Sequence, residues 1–417
     1  MLAGLLTLGV ITPAAGQQVC DGSWSTPFGV RTADGRPIFV DRGVIASDGD
    51  RTLLLGQPTF VWRTKDSLSI AGVGDANAES VALHAGVLVD AAGVATPVPS
   101  FGDFHLARSP RLLAAMTGRK TIVWEVSDSA PEKTVGTPIV AARTATLIDG
   151  RWADSQTLIE RGQLVIGDLP AVRSVDRIDH RVLAAAVRDS TRRVRLAWAS
   201  GASWKRTDWL DATWVAHATA TRTKAGDIAM LFMGSVANEA GVYAVLGILF
   251  GDSLAWRRPV LLDSLSGPFA APSSAHLGND SLLAVWSQPR NHRSEMITAL
   301  TADGGRHWRL TEPLVSSLGM DSPVLAVDGA GVAHLVYRAA PHDNVLNEPG
   351  VIMHSVWRAG VWATPESISN HPSYTGPMLG SAQGGRLMAL WTESATTLPA
   401  RLPKSVASLW TPGCAER

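Results

Sequence analysis

Residues 272–308 read PSSAHLGNDSLLAVWSQPRNHRSEMITALTADGGRHW, and they hold one full copy of the pattern that decides the fold. Pro272 leads a short segment, Gly278-Asn279-Asp280 marks a tight turn, and an alternating apolar run ends at Trp286. A polar stretch follows, then a second apolar run, a glycine-rich turn and Trp308. Proline suits the first residue of a strand, where no ladder donor is lost. The unit therefore reads as strand, tight turn, strand, longer loop, strand, short turn, Trp-led strand.

The pattern recurs along the chain. Trp152, Trp204, Trp256, Trp308 and Trp362 are spaced by 52, 52, 52 and 54 residues, and Trp24 belongs to the same series. Gly93-Val94-Ala95-Thr96-Pro97 supplies a variant without its tryptophan, which makes seven units. A second series of apolar segments ends at Trp62, Trp124, Val187, Phe232, Trp286, Tyr337 and Trp391. Pro37, Pro110, Pro170, Pro272, Pro323 and Pro377 lead the segments upstream. Four short strands repeated at this spacing predict an all-β fold, a seven-bladed β-propeller of four-stranded antiparallel blades. The periodic tryptophans are expected to fill the spaces between blades.

After Trp362 only three further strands remain, so the N-terminal segment near 22–30 is expected to complete the last blade. That exchange brings the chain's only cysteines, Cys20 and Cys414, together as a disulfide. A bridge closing so long a loop restricts the unfolded chain by about 4–5 kcal/mol in the loop-entropy model. It needs an oxidising compartment. Residues 1–16 agree, with an uncharged apolar run and a small-residue cleavage region of the kind found in a secretory signal peptide. Residues 17–417 then form a single propeller domain, secreted, periplasmic or at the cell surface.

Composition excludes several functions. The 37 Lys+Arg balance 37 Asp+Glu, so no basic surplus exists for nucleic acid. No later stretch is long and apolar enough for a membrane span. No phosphate-cradling, dinucleotide or HExxH pattern occurs in a fitting context, so no cofactor is expected. His292, His342 and His371 come from successive units, but no local spacing supports a metal, and none is expected.

The octapeptide Thr301-Ala302-Asp303-Gly304-Gly305-Arg306-His307-Trp308 resembles the Asp-box, S/T-x-D-x-G-x-x-W, of sialidase-like (BNR-repeat) propellers. Degenerate copies end at Trp24, Trp152 and Trp204. The resemblance implies a structural turn in which Asp303 binds turn amides, Gly305 permits a positive φ and Trp308 packs beneath. It also implies comparison with sialidase sites. Arg36-Pro37-Ile38 precedes the first strand where that family has Arg-Ile-Pro, in altered order. Tyr374 enters the last inner strand near the place of the family's tyrosine.

Loops joining the fourth strand to the first, and the second to the third, share one rim of a propeller. Arg36, Arg290, Arg293, His292, His342, Asp343 and His371 are the candidate ligand-binding residues there, with the arginines as anion clamps. Asp321 and Glu239, with Tyr374, are the candidate catalytic residues, since glycoside hydrolysis needs carboxylates about 5–10 Å apart. The leading expectation is a monomeric recognition module for a glycan or an extracellular protein. The alternatives are a glycoside hydrolase of sialidase-like type and a structural scaffold in a surface complex.

Overall fold

The computed structural model describes residues 22–413 except 36–37, 39, 49, 58–59, 64–67, 71–78, 83–85, 99–106, 117–118, 128–138, 149–150, 161–162, 165, 168–184, 189–193, 201–202, 207–209, 224, 251–252, 265–271, 291–292, 317, 342–348, 374 and 394–403. Among the described residues the regular elements are strands, save a single 3-10 turn at Gln383–Gly385. They group into eight sheets, and most pairings are antiparallel.

The fifth unit shows why the sequence makes sheets. Its strands Ser273–Gly278, Ser281–Arg290 and Arg293–Thr301 pair in chain order. Along Ser281–Arg290 the side chains alternate between two cores. Leu283 and Val285 pack with Met320, Leu335 and Tyr337 of the sixth unit. Ala284 and Trp286 pack with Leu231, Met233 and Val242 of the fourth. Both faces are buried, which is why this strand is apolar almost throughout rather than half polar.

Leading strands carry this contact from sheet to sheet. Asp41–Asp48 packs against Ala107–Met116, and that strand against Ile166–Gly167, which pairs with Trp214–Arg222. Trp214–Arg222 packs against Ser273–Gly278, that against Gly319–Val327, that against Met378–Ser381, and the last returns to Asp41–Asp48. In the closing sheet Lys404–Thr411 pairs with the N-terminal strands, setting Ser23 opposite Thr411, Trp24 opposite Trp410 and Phe28 opposite Ala407. The Cys20 and Cys414 positions lie outside the described residues, as does the 1–16 segment.

Two details differ from the expected pattern. The first unit's second strand, Arg51–Gln57, ends before Trp62. Trp62 instead belongs to an inserted three-stranded sheet of Phe60–Arg63, Leu68–Ile70 and Glu79–Ala82. Pro58 follows Gln57 and has no amide hydrogen to extend the ladder. The prolines also divide. Pro272 and Pro377 directly precede strands, but Pro110 and Pro323 lie inside theirs, at shifts of register between Arg108 and Arg111 and between Asp321 and Val324. A bulge spares the ladder the missing donor.

The turn after Arg293–Thr301 is held by its own side chains. Asp303 Oδ1 accepts the amides of Arg306 (3.0 Å) and His307 (2.9 Å), and the Thr301 hydroxyl donates to it at 2.8 Å. Gly305 has φ +89°, and a Cβ there would crowd Ala229 of the fourth sheet, so glycine is required twice over. Trp308 packs partly buried against Leu231 and Ala229 of that sheet. Burial opposes the Asp303 charge, but the His307 amide and ring and the Thr301 hydroxyl outweigh it and hold the carboxyl at about 2. Asp303→Ala is expected to cost about 1 kcal/mol in urea unfolding, by analogy with a lost cap. Because its folded-state affinity for protons is depressed, the Asp303 contribution is complete above about pH 4 and fades as pH falls towards 2. An Asp303→Ala chain should lose that part of the acid slope.

Candidate functional site

Polar groups gather where second and third strands join. In the sixth sheet, Asp321 of Gly319–Val327 stands opposite Arg338 of Ala333–Ala340. Both side chains are buried. Arg338 Nε donates to Asp321 Oδ1 at 2.9 Å, and a second guanidinium nitrogen donates to Oδ2. Such a forked pair fixes both planes at once. Beside it Ser322 has φ +51°, in the bulge around Pro323. A Cβ on Gly376 would collide with Ser322, so the approach of that segment depends on glycine.

Ser373 links this sheet to the closing one. Its backbone exchanges hydrogen bonds with Gly350 (2.7 and 2.9 Å) and bridges to Glu393, and its hydroxyl donates to the Thr392 carbonyl at 2.6 Å. Glu393 is buried, and Lys404 Nζ lies 3.1 Å from its carboxylate. Lys404 keeps half its side chain exposed and reaches a cleft of about 260 Å³. Phe28, Val30, Arg31, Gly35 and Ala92 complete the lining with Gly29. The cleft forms because residues 28–35 cross from the closing sheet to the first. Val30 donates to Ser405 O, Ile38 donates to Val30 O, and Arg31 donates to Gly93 O. Arg31 is exposed, and no carboxylate pairs with it among the described residues. The cleft thus offers an aromatic ring and the exposed Arg31 guanidinium, with the Lys404 ammonium, paired to Glu393, at its edge.

Of the predicted site residues, Asp321, Glu239, Arg290, Arg293 and His371 are among the described residues. Asp321 is committed to Arg338. Glu239 is exposed in the fourth sheet, opposite Val236 at the start of Glu239–Phe250. Arg290 and Arg293 face each other at the end of one hairpin of the fifth sheet. His371 is exposed two residues before Ser373. Tyr374, Arg36, His292, His342 and Asp343 lie outside the described residues. Sequence reasoning missed Arg338, Lys404, Phe28 and Arg31. A signal existed for the first: a polar residue just after the aromatic that ends an apolar strand, as in Tyr337-Arg338.

No family model matches the chain, and no curated protein matches it. Solved structures do. A protein of unknown function from Dyadobacter fermentans, 13% identical, covers 94% of this chain and 99% of its own with a TM-score of 0.52, which shows a common fold. Looser likenesses include a Hadza microbial sialidase (11% identity, 92% and 99% coverage, TM-score 0.46). A mutant Aleuria aurantia lectin in complex with Fucα1-6GlcNAc is at the same level (10%, 69% and 89%, TM-score 0.44). No helix among the described residues is long and apolar enough to cross a membrane.

Proposed function

We propose that this chain is a secreted, seven-bladed β-propeller that recognises a carboxylate-bearing glycan in the cleft between its closing and first sheets. The observation that carries the reading is the cleft's chemistry. The Phe28 ring offers a face for a sugar ring, and Arg31 offers an exposed guanidinium for a carboxylate, with no carboxylate paired to it among the described residues. Its volume of about 260 Å³ suits one sugar ring rather than a long chain. Binding is favoured over hydrolysis because Asp321, the candidate acid, is buried and tied at both oxygens by Arg338.

The propeller reading rests on the circuit of strand contacts, which links six sheets directly and reaches the third through contacts of Gln163–Leu164 with Ile139–Ile148 and of Ala185–Arg188 with Ile166–Gly167, and on the terminal strands sharing one sheet. In the register that sets Ser23 opposite Thr411, three more residues on each strand would set Cys20 opposite Cys414. Exported protein is then expected to weigh about 2 Da less than its reduced form, the mass of two hydrogens lost on bridging. The turn at Thr301–Trp308, where Asp303 accepts the Arg306 and His307 amides, supports the Asp-box reading.

A panel of neutral, uronic and sialylated glycans tests the function. Carboxylated members should bind, and Arg31→Glu should weaken them at least tenfold, an effect of about 1.4 kcal/mol, without changing the unfolding midpoint. Equal binding of neutral analogues, or indifference to Arg31→Glu, overturns the assignment of the cleft.

A further inference from the structure

Where the sixth sheet meets the closing sheet, the contact is apolar through Val336, Ile352, Trp391 and Val406. Two histidines interrupt it. His334 is wholly buried and His354 is 2% exposed. Their rings lie 15° from parallel with centroids 5.3 Å apart. His334 Nδ1 is 3.0 Å from His354 Nε2. At one end His334 Nε2 is 3.2 Å from Asp328 Oδ2, and at the other His354 Nδ1 is 3.1 Å from Glu366 Oε1. All four ring nitrogens are thereby engaged in a single line, Asp328–His334–His354–Glu366.

The line is covered by the strands that join the chain's two ends. The Trp410 ring sits 4.7 Å from His334 and 5.2 Å from His354, and Trp24 meets His354 edge-on at 5.1 Å. From the turn before Ala333–Ala340 the facing charge is Asp328; from Glu366–Ser367 it is Glu366. Lys404–Thr411 and Ser23–Trp24 bring indole rings.

Counting hydrogens decides the state of the line. Each of its three contacts needs one hydrogen, and ionised carboxylates supply none. Two neutral imidazoles carry two hydrogens, so one contact is left with two lone pairs facing. One additional proton fills all three contacts. A second would set two N–H groups head to head across the 3.0 Å contact.

We propose that the His334–His354 pair is a built-in site for one proton, and that this proton ties together the strands Ala333–Ala340 and Val351–Arg358 and the edge strand Glu366–Ser367 of the sixth sheet, beneath the indoles of Trp24 and Trp410. Burial, and the charge already on His334, push His354 down to about 3, so the second proton stays out through mild acid. Burial works against the Asp328 charge, but the His334 hydrogen bond and charge and the Val332 and Ala330 amides hold its carboxyl below the usual range.

The consequence is a stability curve with two limbs. Free histidines titrate near 6.5 in the unfolded chain. Above that pH the folded pair keeps a proton that the unfolded chain has lost, and stability falls as the folded pair finally releases it. Below that pH the unfolded chain takes two protons and the folded pair only one, so stability falls again. Depressed carboxyls such as Asp328 add to the acid limb alone. The alkaline limb belongs to the shared proton.

The experiment pairs long-range ¹H–¹⁵N spectra of the histidine rings with urea midpoints from pH 5 to 9, on the full chain. The expected result is three protonated nitrogens shared by the two rings near pH 6, falling to two in one step that moves both rings together. His354→Gln should abolish the alkaline decline in the urea midpoint. Should that variant fail to fold, Glu366→Gln at the exposed end keeps the test alive: it should lower the pH of the joint step by about one unit, as loss of an opposite charge does. Two rings each holding one hydrogen throughout, two independent steps, or a joint step unmoved by Glu366→Gln would each overturn the proposal.

Discussion

Replacing Arg338 by methionine is expected to lower the folding stability of this chain by about 3–5 kcal/mol, the cost of leaving one member of a buried ion pair without its partner. The site itself argues for an effect at the large end. Asp321 and Arg338 are both buried, joined by two hydrogen bonds across adjacent strands. Without Arg338 the Asp321 carboxylate sits beside a bulge with Ser322 at φ +51°, and little backbone freedom remains there to turn it towards water. The double change Asp321→Leu with Arg338→Met should recover much of the loss, because removing both charges also removes their desolvation cost. Urea midpoints of the two single changes and the double change close the cycle. If Arg338→Met costs no more than about 0.5 kcal/mol, as a surface change does, the pair is not holding the bulge. Asp321 would then again be free for acid–base chemistry.

That pair also marks the limit of what the sequence discloses. The all-β character and the repeat are legible because they rest on local signals. Alternation over Ser281–Arg290, turn residues at Gly278–Asp280 and the hydrogen-bonding types at Thr301–His307 all act within a few residues. Trp62 shows where local signals stop. Its apolar surroundings mark a strand correctly, but nothing in a period of two says which sheet that strand joins. The prolines are similar. Pro323 marks a strand, yet its place at a bulge depends on the partner strand's register.

Site residues are harder still, since they meet through pairings between distant strands. Asp321 is visible as a loop-proximal carboxylate, and its neutralisation by Arg338 is not, because cross-strand register brings them together. His334 and His354 are 20 residues apart and meet only because their strands pair. Phe28, Arg31 and Lys404 form a cleft only because the chain's start is laid against its end. A sequence scan that weighed every polar residue following a strand-ending aromatic would have found Arg338, but not the cleft.

The tryptophans admit a sharper test than their periodicity suggests. Trp286→Ala is expected to cost about 3–5 kcal/mol, the range for truncating a fully buried large aromatic. Trp286 is wholly buried among Leu231, Met233, Val242, Ile297 and Ala299, so the two sheets it separates have no room to collapse into the space. Its indole nitrogen also donates to Asp263 Oδ2 at 3.2 Å. Trp391 holds a corresponding place two sheets on and is equally buried, but its indole nitrogen has no hydrogen-bond partner among the described residues. If both rings act only as filler, Trp286→Phe and Trp391→Phe should cost the same. The contact with Asp263 instead predicts a gap of about 1.5–3 kcal/mol between them, the usual worth of a hydrogen bond to a charged group. The gap should close when Asp263 is itself changed to alanine. Equal costs with Asp263 intact would reduce Trp286 to volume alone, and would leave shape as the sole reason for an indole at that position of the repeat.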